Sequence, residues 1–415
     1  MQLKKKSAAT IGALILSTGL AAAADRPEIY SRMPDTALSG LLDTEMPDRT
    51  DIFKALPEGA VEKEKITIGW TEITLGNPWF VEVVEAAKRM GEEMGGYEFD
   101  IQVANGDPLR TSAHFDAFIA KGVDVIVVDP TDVVGAATDA ERAVEAGIPV
   151  IALGTVPDAS GPFVTTVLSN PYSNGFDAGV YTAEQMSSEE KIIAGVTIGT
   201  LGNSTSESRV NGLLTGIVYG RSKQFGLGMT KEDALLKGFE LFQEMKKAGH
   251  FDWKEGGFQV VGVSEGYWTE EGGLAGAEDL LAAHGDEINL FLAENDFMGI
   301  GALTALDNIG LKGKVPVACG SDGFRVSLEL IRKGDLLVTG ANSGRATGEG
   351  VMKLINMIFR EGYDANNLPL GSYYPGEIIT KENIEQYWDP DENNPFFKYE
   401  VPPFRTIPEI RNQQD

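Results

Sequence analysis

Cysteine and histidine are scarce in this sequence of 415 residues, which limits the chemistry that it can support. The single cysteine, Cys319, excludes a disulfide within the chain, and its apolar surroundings, VPVACG, favour a small buried residue over a nucleophile. The three histidines, His114, His250 and His284, are scattered and lack the spacing of metal ligands. We therefore expect no metal site, no cofactor and no catalytic residue of these types.

Basic residues are also few. The chain has 35 Lys and Arg against 62 Asp and Glu, which gives a formal net charge of -27 at pH 7. Such a charge repels phosphate backbones and anionic lipid headgroups. We expect no nucleic-acid partner.

Long apolar runs are absent after the first 24 residues. That segment combines basic MQLKKK, apolar IGALILSTGL and the small residues Ala22, Ala23 and Ala24, which is typical of a signal peptide cleaved near Ala24. The alternative is a membrane anchor, but the apolar run is shorter than the roughly 20 residues that span a bilayer. The sequence therefore predicts an exported protein.

Strand-like and helix-like segments alternate twice along the rest of the chain. Residues 25–64 form an acidic, proline-rich lead-in without a sustained period, so we expect an extended segment and a compact fold that begins near Lys65. One series then runs from ITIGW to IPVIALG, and a second from KIIAGVTIG to VPVACGSDG. Alternation of this kind predicts an α/β protein with two lobes, each built on a doubly wound parallel sheet.

One stretch, residues 220–256, interrupts the second series. It contains an amphipathic segment at 230–248 that is preceded by the capping pair Thr230 and Asp233 and followed by Gly249. We predict an inserted surface helix there. Partner recognition and covering of the lobe both remain open as its role.

Aromatic and polar residues follow the predicted strands. Ligands of open parallel sheets bind outside the carboxyl ends of the strands. Aromatic rings, amides, carboxylates and one guanidinium occur there: Asn77-Pro78-Trp79-Phe80, Asp129, Thr155, Arg209, Trp268, Asn295 and Asp322. Rings suit the C–H faces of a sugar or polyol, and the polar groups can pair its hydroxyls, which predicts a carbohydrate site.

Six motifs, in order, resemble the periplasmic sugar-binding proteins of type I fold, with the ribose- and galactose-binding members as the most similar. They are NPWF, VIVVDPTD, GIPVIAL, the arginine of STSESRVNGL, AENDFMGIGALTAL and GSDG, and the resemblance covers roughly residues 65 to 388. It implies two lobes that are joined by three crossing strands and close on one sugar. It also implies delivery of that sugar to the permease of an inner-membrane ABC transporter, from a monomer in the periplasm and without catalysis.

The resemblance also implies domain limits and ligand contacts. The N-terminal lobe is expected at 65–170 and 343–372, the C-terminal lobe at 171–342 and 373–388, and a tail at 389–415. Stacking aromatics fall on Trp79, Phe80 and Trp268. Hydrogen-bonding residues fall on Asn77, Asp129, Arg209, Asn295, Asp322 and Asn342, with Thr155 as a further candidate.

One position departs from the family pattern. After the strand IPVIAL many members carry Asp followed by Arg or Ser, whereas this chain has Gly154 and Thr155. Asp129, on the neighbouring strand, could replace the missing acceptor. The departure leaves the identity of the sugar or polyol open.

Each site residue also has a structural alternative. Trp79 and Phe80 could begin the apolar face of the helix predicted at 79–94, and Asp322 could form a turn. Asn295 and Asp296 could cap the next helix, a role that we expect of Asp296, with Asn295 in contact with the ligand.

Other functions fit the sequence less well. A transcription regulator of the Lac repressor family would need an N-terminal helix-turn-helix and a basic face. A hydrolase would need paired carboxylates or a nucleophile with its base. A sensor that presents bound sugar to a chemoreceptor or sensor kinase stays open, because its ligand chemistry would be the same.

Overall fold

The computed structural model describes residues 30, 33–41 and 49–412. The predicted signal peptide lies outside these residues. The strands are β1 Ile66–Glu72, β2 Tyr97–Val103, β3 Val125–Val128, β4 Val150–Leu153, β5 Phe163–Ser169, β6 Ile192–Ile198, β7 Phe251–Trp253, β8 Phe258–Glu265, β9 Leu290–Ala293, β10 Val317–Cys319, β11 Val338–Gly340, β12 Gly371–Tyr374 and β13 Ile378–Thr380. The helices are α1 Asp35–Leu38, α2 Pro78–Met94, α3 Pro108–Lys121, α4 Val133–Glu145, α5 Pro171–Gln185, α6 Ser204–Phe225, α7 Lys231–Ala248, α8 Glu270–His284, α9 Asp296–Asn308, α10 Arg325–Lys333, α11 Gly344–Arg360, α12 Ile384–Tyr387 and α13 Ile407–Arg411, with a 3-10 turn at Gly285–Glu287.

The strands form two sheets. The first has the order β12-β5-β4-β3-β1-β2 and the second β13-β11-β10-β9-β6-β8-β7. All pairs in the first sheet are parallel, whereas in the second β7 and β13 are antiparallel to their neighbours. The predicted α/β class with two parallel-dominated sheets is confirmed. The chain passes between the sheets three times: between β5 and β6, between β11 and β12, and between β12 and β13.

Polar caps begin the helices at the carboxyl ends of the strands. The Asn77 side chain caps α2, Asp132 caps α4, Asn203 caps α6 and Asn295 caps α9. Each cap satisfies backbone N–H groups that a helix leaves without an internal partner. The chain therefore turns sharply after each strand, and the residues that follow the strands stay at the sheet edges.

Helix α6 lies at the centre of the second lobe and is buried over most of its length. It packs closely against α5, because a Cβ atom on Gly175 of α5 would lie only 2.2 Å from the carbonyl oxygen of Arg209. The predicted inserted helix is α7, which begins after Thr230, carries the predicted capping box with Asp233 and ends at Gly249. Its apolar residues join the same core cluster as those of α6.

The lead-in and the tail are part of the compact fold. Ala37 and Leu38 in the lead-in are fully buried, as are Phe396 and Phe397 in the tail, at 1% exposure or less. The prediction that the compact fold starts near Lys65 is therefore wrong, and the predicted tail packs into the fold through Phe396 and Phe397. These segments are too short to show a period, and contacts with distant parts of the chain hold them.

Within residues 30, 33–41 and 49–412, no helix combines the length and the apolar character that crossing a bilayer requires.

Candidate functional site

A cavity separates the carboxyl edges of the two sheets. It has about 380 Å³ of empty space, counting the part open to solvent. All ten residues predicted as ligand contacts line it: Asn77, Trp79, Phe80, Asp129, Thr155, Arg209, Trp268, Asn295, Asp322 and Asn342. Ile73, Gly154, Asn203 and Thr205 complete the lining.

Three aromatic rings from the two lobes meet at this cavity. Trp79 and Phe80 start α2, and their ring centroids are 5.3 Å apart in an edge-to-face arrangement. Phe80 makes a second edge-to-face contact, at 6.3 Å, with Trp268 from the opposite lobe. Both rings of α2 are nearly buried. They therefore begin the apolar face of this helix, which was the structural alternative, and they also line the cavity.

The backbone of Trp268 has an unusual conformation. Tyr267 and Trp268 have φ angles of 50° and 59°, in the left-handed region that non-glycine residues rarely occupy. The Trp268 carbonyl accepts hydrogen bonds from both lobes, from Asn77 Nδ2 at 2.5 Å and from Asn295 Nδ2 at 3.2 Å. The indole Nε1 donates to Glu294 Oε1 at 3.0 Å. Trp268 is therefore fixed both through its backbone carbonyl and through its indole N–H.

The two asparagines have structural roles besides lining the cavity. Asn77 Oδ1 accepts from the backbone N–H of Trp79, and Asn295 Oδ1 from that of Met298. The expectation that Asp296 caps the helix is wrong. Asp296 is the first helical residue, and it is buried where it accepts from the backbone N–H groups of Gly323 and Phe324.

Arg209 lies among buried carboxylates. Its Nη1 donates to Glu294 Oε1 at 3.2 Å and lies 4.0 Å from Asp322 Oδ1. Its Nε atom is buried and has no hydrogen-bond partner among the described residues. Arg209 also lines the cavity, so a ligand there could supply the partner that this donor lacks.

Asp322 is held in a hydrogen-bond network beside the second lobe crossing, which follows β11. It accepts from Asn342 Nδ2 at 3.1 Å, from Ser321 Oγ at 3.0 Å and from Asn295 Nδ2 at 3.2 Å. Burial raises its pKa, and the charge of Arg209 and these hydrogen bonds oppose that rise. Asn342 also accepts from Trp79 Nε1 through its carbonyl oxygen, so the network links the lobes.

Asp129 and Gly154 explain the departure from the family pattern. Asp129 is 2% exposed, and its Oδ1 has no hydrogen-bond partner in the described parts of the chain. A Cβ atom on Gly154, which has a φ of +65°, would lie 2.6 Å from Asp129 Oδ2. An acidic side chain at position 154 and Asp129 therefore exclude one another, and the carboxyl group comes from the neighbouring strand.

The start of α6 joins the lobes beside the cavity. Asn203 Nδ2 donates to Thr155 Oγ1 at 3.2 Å, Ser204 Oγ to the Val156 carbonyl at 2.8 Å, and Thr205 Oγ1 to the Gly154 carbonyl at 2.6 Å. None of these three residues at the start of α6 was predicted from the sequence as a ligand contact.

Two further buried acids, Glu72 and Glu294, were missed as members of the site. Glu294 accepts from Arg209, Trp268, Ser206 and the Gly199 N–H, which fixes both the guanidinium and the indole. An acid that ends an apolar strand, as in LFLAEN and IGWTEI, is the signal that could have identified both.

The described residues include no candidate metal site, and their cysteine is buried. Within residues 30, 33–41 and 49–412, no cluster of His, Cys, Asp and Glu could hold a metal ion. Cys319 is buried, and burial raises the pKa of its thiol well above the usual range.

A family model and several bacterial proteins are similar to this chain. The model of the periplasmic binding protein domain matches residues 68–362. The ribose import binding protein RbsB of Bacillus subtilis (strain 168) is 25% identical over 295 residues, which cover 71% of this chain and 82% of that protein. The xylitol-binding protein of Mycolicibacterium smegmatis is 23% identical and covers 68% of each chain.

Solved structures share the fold. An ABC transporter solute-binding protein of Bacillus halodurans C-125 with bound myo-inositol has a TM-score of 0.62 at 23% identity, over 79% of this chain and 99% of its own. A periplasmic solute-binding protein of Actinobacillus succinogenes 130z with bound D-allose has a TM-score of 0.59 at 23% identity, over 78% and 100%.

Proposed function

Because the chain belongs to the family of periplasmic binding protein domains, we propose that it is an exported solute-binding protein for a monosaccharide or polyol. It captures one such molecule between its lobes and delivers it to the permease of an inner-membrane ABC transporter. The observation that carries this proposal is the lining of the cavity, where three rings from both lobes occur together with Asp129 and Arg209. Asp129 Oδ1 and Arg209 Nε are buried and have no partner among the described residues.

The polar lining suits hydroxyl groups. A hydroxyl donates one hydrogen bond and accepts others, so it can pair both the Asp129 oxygen and the Arg209 N–H. A buried polar group left without a partner costs about 1–3 kcal/mol. Ligands with hydroxyls in the wrong positions therefore bind more weakly.

The charges of the lining favour a neutral ligand. Asp129, Asp322 and one cation, Arg209, line the cavity, and Arg209 already has two acidic neighbours in Glu294 and Asp322. An anionic ligand would therefore find no uncompensated positive charge in this buried site. The ligands that name the similar proteins, ribose, xylitol, D-allose and myo-inositol, are neutral polyhydroxylated molecules.

Ligand contact is assigned to the ten cavity residues that the sequence predicted: Trp79, Phe80 and Trp268 as stacking partners, and Asn77, Asp129, Thr155, Arg209, Asn295, Asp322 and Asn342 as polar ones. The proposed lobes are 65–170 with 343–372, and 171–342 with 373–388. Each lobe supplies part of the lining, so a ligand that touches both favours the closed arrangement. The permease then recognises the closed protein.

Binding without chemistry is part of the proposal. The family consists of binding proteins, and the acids of the cavity are engaged by Arg209, asparagines and each other.

A thermal-shift screen of the mature protein against D-ribose, D-allose, xylitol, myo-inositol and D-galactose tests the proposal, followed by calorimetry with the best ligand. We expect one or a few of these to stabilise the protein and to bind with a Kd on the order of micromolar, or about -8 kcal/mol. Chromatography of the incubated ligand should recover it unchanged. Stabilisation by anionic metabolites instead of neutral polyols, or recovery of a hydrolysed product, would contradict the proposal.

A further inference from the structure

Glu72 lies directly behind Asp129 and does not line the cavity. Strands β1 and β3 are parallel neighbours, and their register pairs Thr71 with Val128, so the next residues, Glu72 and Asp129, are side by side. Glu72 is fully buried. Its carboxyl group accepts from Trp70 Nε1 at 3.1 Å and from the Ile73 N–H at 3.2 Å.

The register therefore places two buried carboxyl groups next to one another. Two carboxylates can only accept hydrogen bonds and repel each other, so this arrangement favours a proton on one of them. Burial raises the pKa of Glu72 to about 7 and, together with the charge of Glu72, raises the pKa of Asp129 well above its usual range. The pair therefore keeps a proton at neutral pH.

We propose that Glu72 is a positioning residue for ligand recognition, which shares a proton with Asp129 and so presents Asp129 to the ligand as a neutral carboxyl group. The inference rests on the proposed function. The shared proton holds the orientation of the Asp129 carboxyl, and its unpartnered Oδ1 accepts from a ligand hydroxyl without placing a full charge in the cavity. Glu72 thereby acts on the ligand through Asp129.

Few other charged or titratable groups face this pair. From α6, Arg209 lowers the pKa of Asp129, and from the loop after β4 the Thr155 hydroxyl has the same effect. On the other side of β1, His114 of α3 hydrogen-bonds with Thr71 Oγ1 at 2.8 Å, and burial lowers its pKa. His114 thus titrates below its usual range, on the acidic side of the pKa of Glu72.

The test is the pH profile of affinity, measured by calorimetry from pH 6 to pH 9. The probe is whichever of D-ribose, D-allose, xylitol and myo-inositol binds the wild type most tightly. Loss of the shared proton leaves two adjacent negative charges and frees the orientation of Asp129, so wild-type affinity should fall about tenfold over this range. Glu72→Gln should flatten the profile, because it removes the second carboxyl group and with it the shared proton.

Asp129→Asn provides the second variant if Glu72→Gln does not fold, and it too should have a flat profile. His114→Gln is the control and should keep the wild-type profile. A folded Glu72→Gln or Asp129→Asn protein with the wild-type profile, or a flat profile in the wild type itself, overturns this inference and leaves the proposed function intact. Failure of every probe to bind the wild type overturns both.

Discussion

Trp79 packs in the hydrophobic core and also lines the cavity. It is 6% exposed, and its Nε1 donates to the carbonyl of Asn342 at 3.0 Å. The ring therefore links the start of α2 to a lobe crossing. Removing it should affect binding and stability together.

For Trp79→Ala we expect affinity for the best polyol to fall about tenfold or more, because a stacking surface is lost. The cavity left in the core should lower the free energy of unfolding by about 3–5 kcal/mol, so binding is compared at a temperature where the variant is folded. Trp388→Ala is the control. Trp388 contacts Arg325 and Arg332 away from the cavity and should leave affinity unchanged. Equal affinities for Trp79→Ala and wild type would contradict the ligand role of this ring.

Gly154→Ala isolates the contact between this position and Asp129. Gly122 has the same φ of +65°, and a Cβ atom added there would have no neighbour within 4 Å. Gly122→Ala is therefore the control, because it should lower the free energy of unfolding only by the backbone strain of about 1–2 kcal/mol that both variants have. Gly154→Ala adds the clash with Asp129 Oδ2 and should be less stable than Gly122→Ala in urea unfolding. Only Gly154→Ala should weaken polyol binding. Identical effects of the two variants would show that Asp129 moves aside without cost.

The sequence predicted which residues line the cavity better than it predicted the groups with which these residues interact. All ten candidates line one cavity, because in a parallel sheet the residues after each strand lie at one edge. Glu72 was not predicted, because its role depends on the register between β1 and β3, which a single sequence does not specify. The helix cap was assigned to Asp296 instead of Asn295, because helix limits from a pattern are uncertain by a residue or more.

Helices and strands with local sequence signals were predicted, whereas segments that are held by contacts with distant parts of the chain were not. Helix α7 was predicted with its limits, since Thr230, Asp233 and Gly249 provide local start and stop signals. Strand β5 follows β4 without an intervening helix, so alternation did not indicate it. The lead-in helix α1 has four residues, too few to show a period.

The lead-in is docked by specific contacts. Asn211 Nδ2 of α6 donates to the Ala37 carbonyl at 3.0 Å, and Asn170 Nδ2, at the first lobe crossing, donates to the Gly40 carbonyl at 2.8 Å. Leu38 is fully buried with Met33, Tyr172 and Leu235, the last of which belongs to the inserted helix. One role of α7 is thus to cover the lead-in.

Leu38→Ala should lower the free energy of unfolding by about 2–4 kcal/mol, limited by the free energy with which the segment docks. Leu109→Ala removes the same atoms from a side chain that is 80% exposed and should change stability by about 0.5 kcal/mol or less. Chemical denaturation of both variants measures the difference. If Leu38→Ala were as stable as Leu109→Ala, the lead-in would not be docked in solution.

In the whole molecule, three crossings connect the two sheets, and the start of α6 makes further contacts between the lobes beside the cavity. The bond from Ser204 to the Val156 carbonyl belongs to these contacts, although Ser204 does not line the cavity. If the free protein opens, the bond forms on closure and contributes to ligand affinity without touching the ligand. A net hydrogen bond contributes about 0.5–1.5 kcal/mol, which corresponds to a factor of about two to ten in affinity.

Ser204→Ala should therefore weaken polyol binding by about two- to tenfold while the cavity stays intact, because the ligand must supply more of the free energy of closure. Small-angle scattering should give a smaller radius of gyration for the wild type with saturating ligand than without it, and Ser204→Ala should need more ligand to reach the same value. Ser160→Ala is the matched control, since Ser160 is exposed and bonds only within its own loop to Asp158. If ligand does not change the radius of gyration, closure is contradicted. If Ser204→Ala and Ser160→Ala bind with equal affinity, the ligand contacts alone supply the free energy of closure.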